Sequence, residues 1–395
     1  MKIRQLTAGE RAEVSLPIQT YAFQASPPAD RAAEPLRRNQ DYQAGNVTLV
    51  VEEDGVAVAD ATAIPMRQNI RGSVYPMAGI AGVATLPLAR RRGYARALVS
   101  RLLEQLRDEG HVASTLYPFR PSFYERFGYV GLPRTRTVRF SPADLADLLR
   151  AELPGEISCE RAGTGYPAYR DFTLKLLAER HGFAVLPEYR TVALRDTDDR
   201  WVVMAHADGQ PIAATAYRIT GFGGMLTTTD MLTAGPLGRA LLLQFFARHI
   251  DQVREVEVQV PADELPELWA TDLAAVATST TAFPDSAAPM GRVLSLTALA
   301  GLAAGPERVV VEVTADPYLA GRYVLDGRPG SLEVTAGSTA EPDATLTAAG
   351  ISALVYGVLD PGDVAVRGLG DVPRDAAARL ARLFPRCCPY LYARF

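Results

Sequence analysis

The sequence predicts a mixed α/β chain of the α+β kind, with two similar strand-and-helix regions and a smaller α+β domain behind them. Three observations carry this. An Asp-Gly pair sits between apolar alternating runs at Asp54-Gly55 and again at Asp208-Gly209, a strong hairpin signal. Each hairpin is followed by a strand, a turn, a helical run and another strand. Beyond residue 307 the pattern changes to short strands and two helices. A length of 395 residues allows two or three domains, and the boundaries are placed at 1–140, 141–290 and 291–395.

In chain order, VTLVVEEDGVAVADATAIPM (47–66) reads as strand, turn and strand, and MAGIAGVAT (77–85) as a strand. The small side chains of the latter let a ligand or second backbone approach. LPLARRRGYARALVSRLLEQLRDEG (86–110) comes next, with three consecutive arginines and then a glycine. Ala95, Leu98, Val99, Leu102, Leu103 and Leu106 keep a helical period, and Gly110 is a C-cap. HVASTLYP (111–118) is the next strand, and PSFYERFGYV (121–130) a short helix and an aromatic turn.

The order recurs in WVVMAHADGQPIAATAYRI (201–219), GGMLTTTDML (223–232), PLGRALLLQFFARHI (236–250) and VREVEVQV (253–260). Here the turn is TAGPLGRA, with a single arginine and a proline. Proline removes an N–H that anion binding requires, so this second region reads as structural. Residues 141–200 read as mixed helices and loops, and PDSAAPMG (284–291) as a linker. In the last domain the strands fall at 308–316, 321–327, 330–337 and 343–349, and the helices at 350–359 and 373–384.

Bulk properties exclude several classes. A net charge of −4 argues against nucleic acid as the main partner. No apolar run is long enough for a membrane span, and the start MKIRQLTAGERAEV has no apolar signal region. Cys159, Cys387 and Cys388, with His111, His181, His206 and His249, form no metal-ligand spacing or Cys/His nucleophile pair. A cytoplasmic protein without a metal and without structural disulfides is expected.

The arginine stretch carries the chemistry. A phosphate-binding turn needs backbone N–H groups converging at a helix N-terminus, where the dipole favours the anion. Arg90-x-x-Gly93-x-Ala95 lies between a strand and an amphipathic helix, and Gly93 allows close approach. The alternative, a solvated arginine cluster on the surface, explains the charges but not that placement. A dinucleotide turn fits poorly, since no Gly-x-Gly opens it and no downstream acidic residue is evident.

This loop resembles the acyl-CoA pyrophosphate loop of the GNAT N-acetyltransferases. Together with FYERFGY and a C-terminal domain ending in an aromatic residue, it resembles the bacterial enhanced intracellular survival (Eis) family. That resemblance implies two fused GNAT-like regions followed by a sterol-carrier-protein-like domain whose tail enters the active site, and a homo-oligomer, a hexamer. It implies that the loop Arg90, Arg91, Arg92, Gly93, Tyr94 and Ala95 holds the pyrophosphate of acetyl-CoA. Val83, Ala84 and Thr85 would hold the pantetheine arm through their backbone. Tyr124 would be the general acid, and the Phe395 carboxylate the general base. The bland alternatives are an aromatic core cluster of Tyr124 with Phe123, Phe127 and Tyr129, and a frayed tail. Burial among Tyr390, Tyr392 and Phe395 would raise the tail carboxylate above its usual value of about 3.5.

The implied reaction is N-acetylation of a primary amine on a small molecule, aminoglycoside-like in some members. Asp30 and Glu34 fall near the expected pocket lip, while Arg394 departs from what a polycationic acceptor favours. Two other readings remain open: acetylation of a peptide lysine, and a non-catalytic acyl-CoA or lipid sensor.

Overall fold

In the computed structural model, residues 2–24, 39–284, 286–328 and 330–395 are described, so Asp30 and Glu34 lie outside the described residues. The chain divides into two compact units. One comprises Met1–Pro133, Arg180–Arg190 and Ala282–Phe395, the other Arg134–Glu179 and Thr191–Thr281.

A tight hairpin organises the first unit. Strand β1 is Lys2–Gln5 and helix α1 Arg11–Phe23. Strands β2 (Val47–Glu53) and β3 (Val56–Ile70) meet at Asp54 and Gly55, with φ of 50° and 81°. Two consecutive left-handed residues are what a type I′ turn requires. Strand β4 (Ser73–Thr85) returns antiparallel to β3, and helix α2 (Tyr94–Asp108) comes after it. Leu98, Val99, Leu102, Leu103 and Leu106 are buried against the sheet, as their spacing predicts. The helix ends in a Schellman arrangement: Gly110, at φ 91°, donates to the Arg107 carbonyl and His111 to that of Leu106.

Strand β5 (Ala113–Leu116) runs parallel to β4, helix α3 is Pro121–Glu125, and β6 is Val130–Gly131.

The second unit repeats the order. Its strand β7 (Arg136–Phe140) lies beside the later β13. Residues 141–200 hold more than helices and loops: β8 (Glu156–Arg161) is an edge strand, followed by α4 (Ala162–Glu179). Between α4 and the next hairpin, the two-residue strand β9 (Ala184–Val185) belongs to the first unit and pairs with β3. The hairpin of β10 (Trp201–Ala207) and β11 (Gln210–Ile219) turns at Asp208 and Gly209, again with both φ positive. Strand β12 (Met225–Thr233), helix α5 (Pro236–Ala247), the parallel β13 (Glu255–Val260) and β14 (Val276–Thr278) complete a seven-stranded sheet.

The stretch 284–291, expected as a linker, is partly sheet. Met290–Val293 forms β15, antiparallel to β5 and β6, and completes the first unit's eight-stranded sheet. A third, five-stranded sheet contains β16 (Arg308–Thr314), β17 (Gly321–Asp326), β18 (Glu333–Ala336), β19 (Ala344–Thr347) and β20 (Gly370–Asp371). Helices α6 (Ala348–Tyr356), α7 (Pro361–Val366) and α8 (Arg374–Leu383) pack with it. One apolar core runs from Ile64, Met66 and Met77 of the first sheet to Val311, Leu346 and Leu354 of the C-terminal part. That shared core matters for the site, because it fixes where the last residues go. The architecture is thus mixed α/β with three sheets.

Candidate active site

Strands β4 and β5 are paired only from Met77 to Ile80 and from Ala113 to Leu116. Past those residues β4 continues to Thr85 with its other edge still paired to β3. The edge of Ala81–Thr85 that faces away from β3 has no strand partner among the described residues. This parting leaves backbone donors and acceptors available to an extended ligand. Val83 and Thr85 are part-exposed there, and Ala84 is buried.

The eight residues from Leu86 to Gly93 connect β4 to α2. Arg91 and Gly93 are left-handed at φ 67° and 85°, with Arg92 between them at negative φ. Alternating hand turns successive N–H groups into one concavity. Gly93 offers no side-chain cap to α2, so the first-turn N–H groups of Tyr94 and Ala95 also face the loop. Among the described residues other than its chain neighbours, no atom lies within 4 Å of where a Gly93 Cβ would stand. The cradle is open.

The arginines behave differently from one another. Arg92 pairs with Glu53 at 2.9 Å, both partly exposed, and the Tyr94 hydroxyl donates to the same carboxylate. Those partners hold the Glu53 carboxyl below its usual range, Tyr94 most. Arg90 donates to the Thr85 carbonyl at 3.2 Å and lies over the Tyr21 ring. Arg91 is exposed. The Tyr94 ring belongs to the core under α2, so what it presents to the loop is its backbone.

Tyr124 lies on α3, which starts soon after β5 leaves the sheet. Its ring packs edge-on against Phe119, Phe123 and Tyr129, at 5.5, 4.9 and 6.1 Å between centroids. Phe123 also packs on Phe127. The aromatic cluster therefore exists, and Tyr124 is part of it. Burial drives the Tyr124 hydroxyl well above the ordinary value of 10, and no hydrogen bond from the described residues offsets that. Tyr129, by contrast, is hydrogen-bonded to Ser114 at 2.6 Å.

The tail is tied down along its length. Arg71 donates to the Leu354, Val355 and Pro385 carbonyls. Arg71 N–H donates to His181 Nδ1, and the other ring nitrogen meets the Tyr356 carbonyl. Burial, with Arg71 and Arg180 nearby, lowers His181 to about 4. The Cys387 and Tyr390 N–H groups then bond to the Gly357 and His181 carbonyls.

Tyr390 and Tyr392 line the approach to Phe395 from the Phe183 side. Their rings pack on Phe183, that of Tyr392 stacked at 4.7 Å. The Tyr117 hydroxyl donates to the Ala393 carbonyl at 3.2 Å, and the Phe395 ring meets Tyr117 edge-on at 5.6 Å. A Cβ on Gly79 would come within 2.9 Å of the Phe395 ring. Phe395 thus sits on the paired part of β4 and β5, just before they separate. Arg394 beside it is exposed.

Sequence reasoning missed Tyr117, Gly79 and the Arg71–His181 clasp, none of which has a local signature. It also missed Asp60. This side chain on β3 is fully buried and accepts from Ser15 and, at 3.0 Å, from Gln19 of α1. Burial raises it to about 7, against those two hydrogen bonds. A lone acid inside VAVADATAIPM was the available signal.

Residues 2–131 match the acetyltransferase (GNAT) domain family. An uncharacterised N-acetyltransferase of Streptomyces avermitilis is 29% identical over 221 residues, 50% of this chain and 52% of that protein. The N-acetyltransferase Eis of Mycobacterium tuberculosis is 35% identical over 94 residues, 21% of this chain and 23% of that one. The chain thus spans about half of the first relative and under a quarter of the second.

Among solved structures, a GCN5-related N-acetyltransferase from Anabaena variabilis superposes with a TM-score of 0.83 at 17% identity, covering all of both chains. Eis1 from Mycobacterium abscessus superposes at 0.78 with 22% identity, again over both whole chains. At those identities the likeness is one of fold. The chain carries a GNAT acetyltransferase domain at its N-terminal end.

Proposed function

We propose that this protein uses its GNAT domain to transfer an acetyl group from acetyl-CoA to a primary amine of a small molecule. The observation that carries the reading is the pairing of an open, left-handed Arg91–Gly93 loop with an unpartnered β4 edge next to it. The loop backbone from Arg90 to Ala95 holds the pyrophosphate, with Arg91 as the exposed electrostatic support. The backbone of Val83, Ala84 and Thr85 orients the pantetheine arm, and an N–H there polarises the thioester carbonyl.

The bound donor supplies the acyl thioester. The protein's own groups manage the protons. Tyr124 keeps its proton at every working pH, because burial strongly disfavours the phenolate. As the general acid its neutral hydroxyl therefore acts by donating a hydrogen bond to the developing thiolate, stabilising the leaving group without itself resting as a phenolate. The carboxylate of Phe395, the last residue of this chain, takes the proton from the acceptor amine. Support for the tail assignment is the anchored path that seats Phe395 on Gly79 and Tyr117. The C-terminal part, expected to be sterol-carrier-like, serves here as the frame for that tail.

The second unit is a degenerate copy. Gly235 leads directly to Pro236, whose missing N–H spoils an anion cradle. A homohexamer in the cytoplasm completes the proposal, and light scattering of the purified protein checks the oligomer.

The test is CoA-thiol release from acetyl-CoA across a panel of amines. The intact protein is compared with Tyr124→Phe and with a variant lacking Phe395. Release that collapses in both variants supports both proton roles. Full activity without Phe395 removes the tail base and leaves the acetyltransferase. Tight acetyl-CoA binding with no release on any amine overturns the catalytic reading in favour of a sensor.

A further inference from the structure

Between Asp60 and Thr62 the pairing of β3 with β4 slips: Asp60 faces Ala84, while Thr62 faces Ala81. Strand β4 therefore carries one extra residue, and Gly82 sits in it at φ 59°. Such a bulge bends a strand and re-aims the residues beyond it, here Val83, Ala84 and Thr85.

Helix α1 grips this bulge from behind. A Cβ on Gly82 would stand 2.8 Å from Gln19 Nε2. That same nitrogen donates to Asp60 Oδ2 at 3.0 Å and to Ser15 Oγ at 3.0 Å, while Ser15 Oγ donates to Asp60 Oδ2. The other carboxyl oxygen, Oδ1, is buried and has no partner among the described residues. Thr62, on the same strand, is hydrogen-bonded to Thr48 of β2 at 3.0 Å.

We propose that Asp60 is a positioning residue for the donor-binding edge of β4: its carboxylate holds Ser15 and Gln19 of α1 against the Gly82 bulge, and its ionisation tightens donor binding. The inference rests on the acetyl-CoA reading above. As a carboxylate, Asp60 accepts from both α1 side chains at one oxygen, and such charge-assisted bonds are the stronger kind. Protonated at Oδ1, it loses its charge, and the bonds that Oδ2 accepts from Ser15 and Gln19 weaken to the neutral kind. The clasp on Gln19, and through it on Gly82, then loosens.

Among the described residues, only burial and the Ser15 and Gln19 hydrogen bonds set its ionisation. The facing groups from α1, β2 and β4 are Ser15, Gln19, Thr48 through Thr62, and the Ala84 backbone. The cation on the same helix, Arg11, is engaged by the Gln43 and Asn46 carbonyls. Burial against those two hydrogen bonds puts the switch at about 7.

The experiment is calorimetric titration of the full chain with acetyl-CoA at pH 6 and pH 8, for the native protein, Asp60→Asn and Gln19→Ala. Ionisation of the ligand's own phosphate is common to all three and cancels in the comparison. The native protein's gain in affinity from pH 6 to pH 8 should exceed that of either variant by at least about threefold. Gln19 is only part-buried, so its variant carries the test if Asp60→Asn does not fold. Equal pH ratios in the native and variant proteins overturn the role of Asp60 and leave acetyl-CoA binding standing. Absence of binding by the native protein at both pH values overturns the acetyl-CoA reading and this role with it.

Discussion

The two strand–turn–helix crossovers share a topology and differ in what the turn contains. In the first unit the chain spends Leu86 to Gly93 between β4 and α2, two of those residues left-handed. In the second, only Ala234 and Gly235 separate β12 from a helix that begins with proline. The helices differ accordingly. Arg96 and Arg101 of α2 face solvent, whereas α5 buries Leu241, Leu242, Leu243, Phe245 and Phe246. Gly238 of α5 even lies where a Cβ would collide with the Ile212 carbonyl. A parallel strand–helix–strand unit is thus a scaffold that packs well by itself. On the proposed reading, ligand binding is added by lengthening one turn and leaving its helix N-terminus uncovered.

The comparison breaks hardest at Tyr124, since no tyrosine occurs after β13 between Pro261 and Thr281. Tyr124→Phe should lower kcat by about 10²-fold or more, the usual worth of a positioned acid. Its melting temperature should move by no more than about 2 °C, because no hydrogen bond of that hydroxyl is lost. A large loss of stability would return Tyr124 to a purely packing role.

The turn comes next. Gly93→Val forces a branched side chain at φ 85°, a strain of roughly 1–2 kcal/mol. Acetyl-CoA binding measured by calorimetry should weaken about tenfold. Gly235→Ala should leave that binding unchanged. Equal losses from both substitutions would mean that the two turns do the same work.

Asp60 sharpens the comparison through stability. Its ordinary value is 3.8 and the folded one about 7, so the folded state keeps a proton that the unfolded state has released. Stability contributed by this group is present below about pH 4 and is lost as pH rises to about 7. The slope is at most roughly 1.4 kcal/mol per unit. Urea unfolding from pH 4.5 to 7.5 should show that decline in the native protein and a flatter profile in Asp60→Asn. Matching profiles would refute the shifted carboxyl. The smallest effect is expected at Arg92, whose exposed pair with Glu53 is of the weak kind. Arg92→Ala should change acetyl-CoA affinity by less than about threefold.

The features legible in the sequence obey local rules. Both Asp-Gly turns, the amphipathic face of α2 and its Gly110 ending need only neighbouring residues to be read. The misses share another cause. Glu156–Arg161 is mostly exposed along its length, so it lacks the alternation that marks a half-buried strand. Met290–Val293 is identified as a strand by its partners β5 and β6, not by its composition. The Tyr117–Ala393 contact joins residues 276 apart. Asp60 stands in an apolar run, and its partners, Ser15 and Gln19, lie on another element. The loop's left-handed backbone is a local matter that its Arg-Gly spacing announces, whereas the contacts that seat the tail, Gly79 and Tyr117, lie far away in the chain.

Strand β15 has a consequence for how the chain comes to be folded. During synthesis, β5 emerges with all four of its residues destined for burial, yet the strand that covers its outer edge is made only after the entire second unit. For that interval the edge stands open, and non-local closure of this sort is slow. A fragment cut near residue 140 would keep that edge for good and should pair with copies of itself. The ribosome must in effect deliver residue 293 before the N-terminal sheet has a finished border.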